Sequence, residues 1–335
     1  MTAGKRIRYY GKKLLVFLFS VLALSLLVFY LARLAPGDPL VAYYGERTEK
    51  MSVEERERSL ERLGLNDPIY VQYVRWVQNA AQGEFGISYQ YKQPVLQVLE
   101  GRTGNTLLLG GTGFLLTFAL ALLVGVFCAW QEERWPDKIL CKVGTLTSCI
   151  PEFWLCLLFI LVFSVTLHWL PSSGAYATGQ EGSFASRIQH LILPMAVIVL
   201  SHLWYYAYLI RNKILEEVRA DYVLLAKAKG LSQGQILFRH CLRNTLPTYF
   251  NLMAISVPHI LGGTYIIEMV FSYPGIGTLS YESARCHDYN LLMVVCMLTG
   301  VVVIFCSILA QILNERIDPR VRGQEQLEYG EVTAL

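Results

Sequence analysis

Ionisable side chains set inside otherwise uncharged runs are the first candidates for chemistry in this chain. Glu152 follows Pro151 within residues 143–169, which hold no other charge. Glu268 directly follows the uncharged run 244–267 and precedes the turn Tyr273-Pro274-Gly275. His259 lies inside that same run and His202 inside the uncharged run 188–210. Cys286-His287-Asp288 lines up a thiol, an imidazole and a carboxylate, donors that suit a transition metal. In an apolar environment such groups mark pathways, relays or paired contacts. Pro151 removes a backbone donor and kinks a helix, so Glu152 either faces a hydrated path or is a plain helix-end carboxylate. Glu268 is expected to hold the following turn through backbone donors or a basic partner. Three adjacent residues do not easily close a metal site unaided, so none is assigned; Cys286 and His287 are the weak candidates. His202 and His259 each read as hydrogen-bonded packing residues, and Tyr205-Tyr206-Ala207-Tyr208 as an interfacial aromatic belt. There is no Gly-x-x-x-x-Gly-Lys-Ser/Thr run, hence no phosphate-binding loop, and no Asp-x-x-x-Asp pair or His cluster such as a membrane enzyme needs.

The elements that must position these groups are apolar and long. Of 335 residues, 54% are hydrophobic and 16% charged, against about 25% charged in an ordinary soluble domain. Residues 14–32, 103–131, 188–210, 244–267 and 289–314 carry no charge, and 143–169 only Glu152. About 20 apolar residues cross a bilayer as a helix, and lipid favours helices because the backbone must satisfy its own hydrogen bonds. Six transmembrane helices are expected. The basic tail before residue 14 resembles a signal-peptide n-region, but the apolar run after it is too long for a cleaved leader. It is read as a retained span.

Eighteen of the 29 Lys and Arg fall in the four segments that lie inside if the N-terminal tail is cytoplasmic. The short outer loops hold only Arg187 and Arg285, and the other nine lie among ten acidic residues in 33–102, a segment long enough to escape the positive-inside rule. Both termini are expected inside. Of eight cysteines only Cys286 is in an outer segment, so no disulfide framework is expected.

Residues 35–102 form the largest piece outside the spans and read as an outer helical cap. Pro36-Gly37-Asp38-Pro39 ends the first span. Ser52-Val53-Glu54-Glu55 has the form of a capping box that opens a charged helix to about Leu63. Pro68 reads as the first residue of a helix ended by Gly83, and a short helix is expected to begin at Pro94. The cap is either a lid packed on the bundle or a docking surface for an extracytoplasmic partner. On the cytoplasmic side, residues 211–243 are too long for a spacer. Asp221 caps a helix to Lys229, Gly230 supplies the left-handed C-terminal position, and Ser232-Gln233-Gly234-Gln235 is a second capping box before a helix to about Arg243.

Together with these features, a set of motifs carries a family resemblance. Asp221-Tyr222-Val223-Leu224-Leu225-Ala226-Lys227-Ala228-Lys229-Gly230-Leu231-Ser232 and Arg239-His240-Cys241-Leu242-Arg243-Asn244 resemble the cytoplasmic "EAA loop" of ABC-importer permeases, closest to the dipeptide/oligopeptide/nickel group. Ala35-Pro36-Gly37-Asp38-Pro39, Leu63-Gly64-Leu65-Asn66-Asp67-Pro68, Gly83-Glu84-Phe85-Gly86, Asn105-Thr106, Ile150-Pro151-Glu152-Phe153-Trp154, Leu170-Pro171-Ser172-Ser173-Gly174, Glu268 through Gly277, Asp288-Tyr289 and Asp318-Pro319-Arg320 match the group in order along almost the whole chain. Leu224 and Leu225 depart from the loop pattern, and Pro247 stands one residue early.

The resemblance implies an all-α, type I ABC-importer permease fold with six transmembrane helices in the bacterial cytoplasmic membrane. The expected divisions are a tail and first span (1–34), the cap (35–102), a core with five spans (103–314) and a cytoplasmic tail (315–335). It implies a second, homologous permease as heterodimer partner, two cytoplasmic ATP-binding subunits, an extracytoplasmic substrate-binding protein and surrounding lipid, with no nucleic acid. This chain would bind no cofactor, ATP and Mg being used by the partners. Peptides are the expected cargo, with nickel or a nickel chelate the alternative. Ala226, Gly230, Ser232, Arg243 and Asn244 would couple to an ATPase subunit. Glu152, Glu268, Tyr273, Pro274, Gly275 and Asp288 would line or gate the path.

Overall fold

The computed structural model describes residues 3–34, 39–62 and 64–317. Of the expected turn Pro36-Gly37-Asp38-Pro39 only Pro39 is described; Leu63 and the tail with Asp318-Pro319-Arg320 also lie outside the described residues. Among those described the chain is helical, with a lone antiparallel bridge between Ile87 and Pro94.

The helices are α1 (Ala3–Leu34), α2 (Pro39–Tyr44) followed by a 3-10 turn (Gly45–Lys50), α3 (Val53–Arg62), α4 (Ile69–Ala81), α5 (Val95–Trp130), α6 (Trp135–Ser148), α7 (Glu152–Phe159) running into a π turn (Ile160–Thr166), α8 (Phe184–Val218), α9 (Asp221–Ala228), α10 (Gln233–Gln235) leading through a π turn (Ile236–Cys241) into α11 (Leu242–Val270), α12 (Ile276–Arg285) and α13 (Tyr289–Ile317). Four of them, α1, α5, α8 and α13, are long and apolar enough to cross a membrane unbroken. Two bent pairs, Trp135–Ser148 with Glu152–Thr166 and Gln233–Ile260 with Gly262–Val270, complete six spans when each is counted once.

Four boundaries differ from the sequence reading. The expected kink at Pro151 is a break of 98°. Proline disfavours helical geometry in the residue before it, and the Cys149 and Ile150 amides close the last turn of α6 on Leu146 and Thr147 carbonyls. The short helix expected at Pro94 and the second span are one helix of 36 residues; Gly101 and Gly104 stand at the junction of the two, and a glycine costs a helix about 1 kcal/mol without ending it. The fourth span's helix runs on to Val218, which shortens the connection to the fifth span. The helix opened by Ser232 does not stop near Arg243 but continues, through Pro247 and Pro258, to Val270. Smaller shifts are that Pro68 precedes rather than begins α4, and that Asp221 lies in the first turn of α9 with Ala220 at the capping position. There its charge still complements the helix dipole.

Two compact units result: Met1–Thr106 with Pro274–Phe305, and Leu107–Tyr273 with Cys306–Leu335. In the first, Val95, Leu99, Leu279, Leu291 and Val295 form a small core, and Tyr73 of α4 packs edge-on against Phe29 of α1 while its hydroxyl meets Ser25 at 2.8 Å. Ser52 and Glu55 form the expected reciprocal cap at 3.2 Å each way. The second unit holds the large core, centred on Phe118, Ile198, Tyr206, Ile210, Ile214 and Tyr249.

Candidate coupling element and membrane site

The turn between α9 and α10 is closed by local backbone bonds. The Gly230 amide donates to Lys227 O at 2.9 Å and the Leu231 amide to Ala226 O at 3.2 Å, a Schellman motif with glycine at its left-handed position. Gly230 has φ +78°, and a Cβ built there meets nothing within 4 Å, so backbone conformation alone demands glycine. Ser232 then restarts the chain: its amide donates to Gln235 Oε1 at 2.9 Å, and the Gln235 amide to Ser232 Oγ at 3.4 Å. Ala226, Val223, Ile236, Leu237 and Cys241 are buried in the large core, which seats the turn on its own unit.

Arg243 and Asn244 are exposed. Asn244 donates to Glu217 Oε2 at 3.4 Å, and the Tyr222 hydroxyl donates to the same oxygen at 2.9 Å. Burial, with Cys241 and Glu217 beside it, pushes the Tyr222 phenol pKa up, so it stays a donor. An ion pair that the sequence did not announce braces the same unit. Asp137, 2% exposed, accepts two bonds from Arg211, at 2.7 and 2.6 Å, and one from the Glu133 amide at 3.1 Å. The available signal was Asp137 in the first turn after Trp135-Pro136, a helix start whose partner lies 74 residues on.

The residues expected on the path do not converge on one place. Glu268 and Tyr273 are fully buried at the end of α11; the Tyr273 amide closes the turn on Glu268 O at 2.8 Å, and the Tyr273 phenol faces both Arg187 and the Glu268 carboxylate. Pro274 and Gly275 belong to the other unit, where Asn105 Nδ2 donates to Pro274 O at 2.8 Å and the Ile276 amide to Thr106 Oγ1 at 2.8 Å. The Asn105-Thr106 motif therefore holds Pro274 and Ile276 from inside α5.

Asp288 is fully buried and caps α13 by accepting from the Leu291 amide at 3.2 Å. Its other oxygen accepts from Ser88 Oγ at 2.5 Å and the Gln90 amide at 3.1 Å. Ser88 and Gln90 had no sequence signal as partners of a residue about 200 positions away. Cys286 terminates α12 and His287 has φ +56°; among the described residues no three His, Cys, Asp or Glu side chains converge to hold a metal ion.

Glu152 stands apart from these: it begins α7 half-buried, and its Oε1 is buried with no hydrogen-bond partner among the described residues. A Cβ at Gly263 would lie 3.3 Å from His202 Cε1 and 3.5 and 3.6 Å from the two Glu152 carboxylate oxygens. The His202 and His259 rings meet edge to face at 5.4 Å.

Comparison with known proteins agrees with this architecture. Residues 121–323 match the family described as binding-protein-dependent transport system inner membrane component. An oligopeptide transport system permease protein, AppB of Bacillus subtilis (strain 168), is 33% identical over 93% of this chain and 98% of its own length. A Brucella ovis protein named as a peptide permease is 33% identical over 94% of this chain and 99% of its own. Among solved structures, an inward-facing form of the MetNI methionine ABC transporter matches with a TM-score of 0.54 at 16% identity, covering 67% of this chain and 97% of that one, a likeness of fold. The chain thus belongs to the inner-membrane components of binding-protein-dependent transport systems, as a type I permease subunit of an ABC importer whose ATP is consumed by partner subunits.

Proposed function

We propose that this chain is one half of a heterodimeric permease that moves di- and oligopeptides across the bacterial cytoplasmic membrane, with both termini inside. Two ATP-binding subunits dock on the turn around Gly230, and an extracytoplasmic binding protein delivers cargo to the outer face, where residues 35–102 form the cap and 103–314 the core. Ala226, Gly230 and Ser232 shape the docking turn, while Arg243 and Asn244 stand exposed just beyond it. The chain holds no cofactor of its own; ATP and Mg act in the partners.

The observation that carries this reading is the continuity of the helix from the capped turn into the fifth span. Ser232 fixes its start, and the backbone runs helical from Gln233 to Ile260. Displacement of the turn by closing ATPases therefore reaches the bundle as movement of one body. Such coupling needs an element that both sites bias. Glu268 and Tyr273, with Pro274 and Gly275 after them, hold the outer exit of that span, and Asp288 holds the start of the last. The cargo reading is supported by the relatives named as oligopeptide and peptide permeases. The test is uptake by the reconstituted complex of labelled di- and oligopeptides against labelled nickel. Peptide uptake dependent on ATP is the expected result; nickel uptake without peptide uptake refutes it.

A further inference from the structure

Three helices of one unit place ionisable groups at a single spot. Glu152 comes from the first turn of α7, His202 from the middle of α8, and Gly263 and His259 from α11 beside its 45° bend. His202 Nδ1 lies 3.0 Å from Ile198 O. A carbonyl can only accept, so Nδ1 carries the hydrogen and Nε2 of the neutral ring is an acceptor. His259 packs edge-on against that ring. The Glu152 carboxylate and the His202 Cε1, which neighbours Nε2, both lie against the position of the missing Gly263 side chain. That spacing leaves them within reach of one small bridging group.

Both groups at this spot are acceptors. Glu152 makes no ion pair among the described residues, and its Oε1 is buried without a donor. An unpaired carboxylate in such surroundings is costly and is relieved by a donor-rich cation. The geometry points to a site for a primary ammonium group, held by the Glu152 carboxylate and His202 Nε2 against the bare backbone of Gly263. A compact ammonium offers three donors and one charge, which matches two acceptors in a gap that a methyl group would narrow. With peptide cargo, on which this inference rests, the α-ammonium is the one such group carried by every unmodified peptide that does not begin with proline; a cargo lysine would offer the same chemistry. The site would then read a backbone feature shared by nearly all peptides rather than their side chains.

The test uses the full complex. With its binding protein at saturation, Glu152→Gln and His202→Leu should each lower tri-alanine uptake about tenfold, the effect of losing a charge-assisted hydrogen bond, with the half-saturating peptide concentration unchanged. Without the binding protein, millimolar tri-alanine should raise the melting temperature of the detergent-solubilised complex. N-acetyl tri-alanine should not, and neither peptide should do so in Glu152→Gln. N-acetyl-lysine amide reports whether a lysine side chain uses the same site. Gly263→Ala keeps both acceptors and fills the gap, so it should lose the tri-alanine shift while melting, unliganded, near wild type. Equal shifts by free and acetylated peptide, no shift in the wild type, or wild-type uptake in both acceptor variants would overturn the site while peptide import stands. Absence of any peptide uptake by the wild type would overturn the cargo reading, and the site with it.

Discussion

The turn around Gly230 and the clasp around Asp288 are both built from caps, but over opposite distances in sequence. At Gly230 and Ser232 each closing bond joins residues three to five apart. At Asp288 one carboxylate ties the start of α13 to Ser88 and Gln90, about 200 residues away. A turn closed on itself keeps its shape when it is displaced. A clasp between distant segments keeps those segments together, and loses its purpose if they part. Similar chemistry thus makes a transferable shape in one region and a fixed junction in the other.

The sharpest way to break this contrast is at the clasp. Asp288→Ala leaves the Ser88 hydroxyl and the Gln90 and Leu291 amides without their acceptor. At about 1 kcal/mol or more for each of the two buried donors, with less for the part-buried Gln90 amide, the loss should be about 2–3 kcal/mol. It is read as a large drop in the melting temperature of the purified protein and in its abundance in membranes. An unchanged melting temperature would remove the junction from the comparison.

Gly230→Val should act differently. A β-branched residue is strained at positive φ, by about 1–3 kcal/mol, and no neighbouring atom obstructs the side chain. The expected outcome is normal abundance with transport lowered or uncoupled from ATP hydrolysis, whereas Gly230→Asn, which tolerates the left-handed region, should stay near wild type. Wild-type coupling in the valine variant would refute a shape-dependent turn.

The smallest effect is expected from proton concentration at the contact between Tyr91 and Glu282. The Tyr91 hydroxyl donates to Glu282 at 2.6 Å, and burial together with that carboxylate raises the phenol to about 12 from 10. A folded-state pKa above the unfolded one stabilises fully below the unfolded value and is lost as pH rises through the folded one. The Tyr91 contribution should therefore be constant from pH 6 to 9 and fade only between pH 10 and about 12. Melting curves of wild type and Tyr91→Phe should stay parallel below pH 10 and converge above it.

The same distinction in distance decides what could be read from the residues alone. The caps at Ser52 and Ser232, the stop at Gly230 and the apolar runs are written in neighbouring positions, and the structure places them as expected. Asp137 with Arg211, Ser88 with Asp288, and Glu152 with His202 and Gly263 depend on packing between remote segments. Taken singly, His202 and His259 looked like packing residues, and nothing near Glu152 in sequence named its neighbours. The continuity of the helix opened by Ser232 with the span over 244–267 was also hidden, because the charged residues up to Arg243 read as a separate loop helix while the backbone runs helical past them.

The uninterrupted course from Gln233 to Ile260 has a consequence for which changes of length this protein can survive. An α-helix turns about 100° per residue and rises about 1.5 Å. One residue inserted or deleted between the capped turn and Gly263 would swing everything beyond it by more than a quarter-turn, carrying His259 and Gly263 away from Glu152 while the amino-acid types stayed the same. Point substitutions along the exposed side of this stretch should be well tolerated, but a single codon gained or lost there should abolish transport. The same edit in a surface loop such as 177–182, where chain length is not in register with any site, should pass almost unnoticed.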